Sequence, residues 1–163
     1  MKSPLLIAFL IPVIGFCEDV IITGTVQSKC VINTDTAGIY GNPTPDKLST
    51  APSDGGVMPV IRYDVSLADA YTARVTTPTN FSTSPALSDV VNWTGSTTVS
   101  SVSDTAMSDY DTNAVEYDET TEFDLHTAGT VWFKVDSTAE YGYNKAFPGG
   151  TYRAVVEAEC IAN

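Results

Sequence analysis

The residues whose types could support chemistry are few: one histidine, a run of carboxylates, two tryptophans and three cysteines. His126 lies in "FDLHTAG". A Ser-His-Asp triad would have to use it, yet no serine sits in a GxSxG-like elbow. With no free cysteine to join it, it also leaves no His-Cys metal set, and it reads as a surface turn residue. The stretch "SDTAMSDYDTNAVEYDETTEFD" places Asp109, Asp111 and Asn113 at the alternate spacing that opens an EF-hand loop. The pattern then breaks, because Ala114 stands where glycine is needed and Thr120 where the closing glutamate belongs. These three remain a weak calcium candidate against a default of solvated loop. Paired carboxylates for glycoside hydrolysis need only meet in space, so spacing does not decide on them. Trp93 and Trp132 offer a sugar-stacking platform, with Trp132 more naturally covering an outer sheet face. Asn80 ("NFS") and Asn92 ("NWT") match the glycosylation triplet, a match expected by chance. No enzyme signature emerges, and no catalytic residue or cofactor is assigned.

The cysteines say more about location than about reaction. Residues 1–17 read as a secretion signal: Lys2, the apolar run "PLLIAFLIPVIGF", then Gly15 and Cys17 at the small-residue positions before "ED". The run is shorter than the roughly 20 apolar residues a spanning helix needs. A lipid-anchored Cys17 would want a small residue where Phe16 stands. Cleavage leaves residues 18–163 as one domain, exported, with Cys30 and Cys160 as an even pair in an oxidising compartment. A disulfide between them closes nearly the whole domain, and chain entropy assigns it ~4 to 5 kcal/mol. The net charge of −12, from 20 acidic and 8 basic residues, repels phosphate backbones and excludes nucleic acid as a partner.

The elements that carry these residues are strands. Thr, Val, Ser, Asp and Tyr dominate, punctuated by Gly and Pro. An opening strand aligns Val20, Ile22, Val26, Cys30 and Ile32 on one face. In "VIRYDVSLADAYTARV", Ile61, Tyr63, Val65 and Leu67 point one way and Tyr71, Ala73 and Val75 continue after "ADA", which predicts a hairpin. "VVNWTGSTTVSSV" predicts two short strands around Gly95, and "AVEYDETTEFDL" offers Val115, Tyr117, Phe123 and Leu125. "TVWFKVD" places Val131, Phe133 and Val135 inward. A final strand shows Tyr152, Ala154, Val156, Ala158 and Cys160 on one face and Arg153, Glu157 and Glu159 on the other. Residues 34–57 and 136–150 read as long loops. The expectation is an all-β, immunoglobulin-like sandwich of about seven to eight strands.

The two ends of the domain resemble a known family. "ITGTVQSKCVINTDTAGIYGNP" looks like the first strand of bacterial chaperone–usher pilins. "GGTYRAVVEAECIAN" is similar to the last strand of pilins and of spore-coat-U-like subunits. The resemblance implies a sandwich lacking one strand, completed by donation into a groove lined by Val20, Ile22, Val26, Tyr152, Ala154 and Val156. It also implies a periplasmic chaperone, an outer-membrane usher, and copies or sister subunits as neighbours in a head-to-tail fibre on the cell surface. Two departures stand out. Either "EDVIITGTV" is itself the donated strand, or the subunit accepts without donating. The cysteine pair ties the first strand to the last, not to the second. The alternative reading is a self-complete extracellular binding module. Its loops near residues 40–56 and 137–150 would meet a surface glycan or protein through "EYGYNKAF". A third reading is a calcium-dependent hydrolase or lectin built on residues 104–118.

Overall fold

The computed structural model describes residues 22–24 and 29–163. The expected secretion signal, residues 1–17, lies outside that range, as do Val20 and Val26. The described residues form an all-β sandwich, and its centre follows from the alternation in the sequence. Strand β4 (Val60–Val65) buries Ile61, Tyr63 and Val65, and β10 (Gly129–Tyr141) buries Val131, Phe133 and Val135. Facing them, β5 (Tyr71–Thr76) buries Tyr71, Ala73 and Val75, and β9 (Thr120–Asp124) buries Phe123.

One sheet runs β1 (Cys30–Thr36), β4, β10, β3 (Lys47–Ser49), β2 (Gly41–Thr44), with β7 (Val91–Val102) on the other side of β10. The second runs β12 (Glu157–Ala162), β5, β9, β8 (Val115–Tyr117). A short ladder of β6 (Phe81–Thr83) with β11 (Arg153–Ala154) extends the β5–β12 pair beyond an interruption. That interruption begins at Thr77, whose N–H turns away to the Glu119 carbonyl, and continues through Pro78, which has no N–H to donate.

Several expectations change. β4 and β5 do not form a hairpin: they belong to opposite sheets, and residues 66–70 arch between them. Leu67 sits in that arch and is 45 % exposed. Gly95 does not divide β7, which runs unbroken for 12 residues. A Cβ there would lie 2.7 Å from Thr77 Cβ, so glycine lets the facing layer close in. Val115 and Tyr117 are exposed, because β8 is an edge strand joined to β9 by a turn with Asp118 at φ 51°. Residues 34–57 are not a free loop. Thr50 N–H donates to the Ser137 carbonyl and Val135 N–H to that of Pro59, so both flanks of residues 51–58 lie along β10. Likewise 136–141 belong to β10.

Tyr63 spans the core. Its hydroxyl reaches the carbonyls of Arg74 on β5 and Glu159 on β12, both at 3.2 Å. Its ring meets Phe133 edge-on at 5.4 Å, and Phe133 in turn packs on Phe123 at 4.2 Å. On the outer face of the second sheet, Arg74 donates to Glu122 at 2.8 Å and to Glu159 at 3.2 Å. The Tyr117 hydroxyl, donating to the same Glu122 at 2.7 Å, and Arg74 hold that carboxyl below the usual glutamate range.

Two outcomes follow. Tyr63→Phe keeps the ring packing and removes the cross-core donor, and urea unfolding should show a loss of about 1–2 kcal/mol. A depressed carboxyl stabilises the fold above its unfolded pKa, about 4.3 for glutamate, and that stability is lost as pH falls through the lower folded value. Unfolding midpoints should therefore drop below about pH 4, and Arg74→Leu should lessen the drop.

Candidate functional site

A two-sheet sandwich has two flanks, and this one treats them differently. Between β7 and β8 the chain itself crosses from one sheet to the other through residues 103–114. That crossing buries Met107 and Tyr110, which are 1 % and 2 % exposed, and the Asp111 carboxylate accepts the Val99 N–H of β7 at 2.7 Å. Gly129 makes room for it, since a Cβ there would lie 2.5 Å from Met107 Cε. On the opposite flank stand β1 and β12, and no ladder among the described residues joins them. Their link is the Cys30–Cys160 disulfide, with Cα atoms 6.4 Å apart.

Away from the disulfide the flank opens into a cleft of about 830 Å³. One wall is Ile32 and Ile61 with residues 37–40. The other is the chain from Tyr152 to Ala158. The inward side chains of that second wall, Tyr152, Ala154, Val156 and Ala158, are all half-buried, whereas Ala73 and Val75 in the neighbouring β5 are wholly buried. Val156 and Ala158 pack against the core on one side and line the cleft on the other. On the first wall the loop is fixed by an Ile39–Val57 bridge, with both N–H groups donating at 2.8–2.9 Å. Gly38 is pressed on Pro59, where a Cβ would sit 2.9 Å from the ring. Tyr40 lines the cleft and shares a 2.9 Å hydrogen bond with Ser137 Oγ. Burial pushes its pKa up, against the pull of that bond. At the rim, Ile39 and Val155 are 59 % and 57 % exposed.

The far end of the cleft carries a second apolar cluster, separate from the main core. Phe81 on β6 meets Trp93, Tyr152, Phe147 and Tyr40 with centroids 4.7 to 6.4 Å away. Phe147 stacks on Tyr141 at 5.1 Å, and its N–H donates to the Pro45 carbonyl. These rings come from separate segments, each reading alone as an aromatic in a polar stretch, so residue order carries no signal for the cluster.

Of the residues expected to line a groove, Tyr152, Ala154 and Val156 do line this cleft. Ile22 is 93 % exposed. The cysteines are bonded as expected. Asp109, Asp111 and Asn113 do not converge. Asp109 accepts from Asn113 at 2.8 Å and faces His126 Nε2 at 3.1 Å, while Asp111 is turned to β7. Trp93 and Trp132 form no shared platform. Trp93 opposes Ala139 on β10, roughly 23 Å along the strand from Trp132.

No protein-family model, curated protein or solved structure matches this chain.

The disulfide bridges a sequence separation of 130 residues, for which chain entropy gives about 5 kcal/mol. Urea unfolding with and without reductant should differ by that order. A difference below about 1 kcal/mol would mean that packing alone holds β1 to β12.

Proposed function

We propose that this chain is a secreted structural subunit of a surface fibre, joined to its neighbours by strand donation. The observation that carries the reading is the apolar cleft between β1 and β12, edge strands of facing sheets that no ladder joins among the described residues. Unpaired edges invite a further strand, which gains a backbone ladder on each side while its alternate side chains enter the cleft. An inserted strand would complete the burial that Ala154, Val156 and Ala158 lack. The disulfide fits an oxidising, extracellular compartment. The resemblance of the two ends to pilins adds the partners: copies of this chain or sister subunits, delivered by a chaperone and an usher.

A second reading, an extracellular binding module, draws on Tyr143, which stands 90 % exposed between Gly142 and Asn144, the latter at φ 54°. Such a loop offers an aromatic contact to a glycan or protein.

The test is negative-stain electron microscopy of material sheared from producing cells, labelled with an antibody to this chain. The wild type should give labelled filaments. Ala154→Trp, which fills the cleft from an already half-buried position, should abolish them while changing the unfolding free energy by no more than about 0.5 kcal/mol. Soluble particles from the wild type would favour the binding module. Filaments undiminished by Ala154→Trp would overturn strand donation.

A further inference from the structure

A sheet edge without charge, proline or cover is open to a further strand. Among the edges of the described sheets, β1 carries Asp35, β2 has Pro43, β8 has Glu116, and β12 has Glu157 and Glu159. β7 is the longest edge, at 12 residues, and it holds neither charge nor proline in a chain of net charge −12. In an antiparallel ladder, alternate residues turn N–H and C=O together to the same side. Gly142 N–H donates to the Val90 carbonyl at 3.2 Å, so Val91 and Tyr141 oppose each other without bonding. Val91 therefore turns its polar groups away from β10. The register holds unbroken to Val99, so Trp93, Gly95, Thr97 and Val99 turn the same way. Val99 agrees, since its N–H goes to the Asp111 carboxylate at 2.7 Å. The crossing covers the edge at Val99. Among the described residues, nothing pairs with the outward N–H and C=O groups of Val91, Trp93, Gly95 and Thr97.

We infer that this free stretch is a docking edge for a second copy of the chain, β7 against β7. An antiparallel edge is complementary to itself about a two-fold axis. With Val99 taken, one register uses all four free residues. It sets Val91 opposite Thr97 of the second copy and Trp93 opposite Gly95 of the second copy, with about eight hydrogen bonds in all. Thr94 then falls on the axis, where opposed Cα atoms stand about 4.5 Å apart. Beside it Asn92 meets Ser96 of the second copy, and Asn92, Thr94 and Ser96 are all exposed. Charge favours a copy as the occupant. Two chains at −12 repel, and along this edge they meet with no carboxylate in either strand. The contact uses the same surface on both copies and closes at two. It leaves the β1/β12 cleft untouched and does not rest on the strand-donation reading.

Cysteine cross-linking tests it on the full exported chain. Thr94→Cys, Asn92→Cys and Ser96→Cys are each oxidised mildly, and covalent dimer is read by non-reducing denaturing electrophoresis, with the bond located by peptide mass. Thr94→Cys should give several-fold more dimer than either neighbour alone, linked through position 94. A mixture of the Asn92→Cys and Ser96→Cys chains should recover the dimer, now joining 92 to 96. Equal yields from the three single variants would mean random encounter and would overturn the pairing. A 92-to-96 link no stronger than either variant alone would overturn the register. Adding Ala154→Trp to Thr94→Cys separates this edge from the cleft. An unchanged yield is expected whether or not filaments form, and loss of the dimer along with the filaments would mean that the link follows from crowding in a fibre, which removes the β7 edge as a docking site.

Discussion

The hydroxyl of Tyr63 holds the two layers in relation to each other. It rises from the middle of one sheet, crosses a core of aromatic and branched side chains, and donates to carbonyls on two strands of the other. Burial drives its pKa up, so it stays protonated and remains a donor throughout the range in which the protein folds. One of those carbonyls belongs to Glu159, the residue before Cys160. The same contact that sets the spacing between sheets therefore positions β12, and with it one wall of the cleft. Remove the tyrosine oxygen and the strand keeps only its ladder with β5 and the disulfide to place it.

Much of the sandwich could be read from residue order because a strand with one buried face alternates. Ile61, Tyr63 and Val65, then Tyr71, Ala73 and Val75, then Val131, Phe133 and Val135 all point where their spacing says. Alternation reports which face is buried and is silent on which sheet a strand joins. That is why β4 and β5 read as a hairpin: two strands facing each other across a core carry the same pattern as two strands side by side. Gly95 misled in a different way. Glycine in a strand breaks it or admits a close neighbour, and only the position of Thr77 distinguishes the two.

The cleft was legible in part. The resemblance of the two ends implied a groove between the first and last strands, and of the residues named for it Tyr152, Ala154 and Val156 do line this cleft. The loop that forms its other wall was not legible, since Gly38 and Ile39 take their places from Pro59 and Val57 across a long excursion. The aromatic cluster at the far end was less legible still. Phe81, Trp93, Phe147 and Tyr152 come together only because β6 and β11 continue the β5–β12 pairing past Pro78.

The Cys30–Cys160 bond also defines a route for mechanical load. Tension applied between Lys29 and Ile161 would pass from β1 to β12 through one covalent link. The residues between the two cysteines lie off that route. Their ladders need not be strong in shear for the unit to hold. They need only keep the two edges the right distance apart, while the covalent bond carries the pull between the ends of the sandwich.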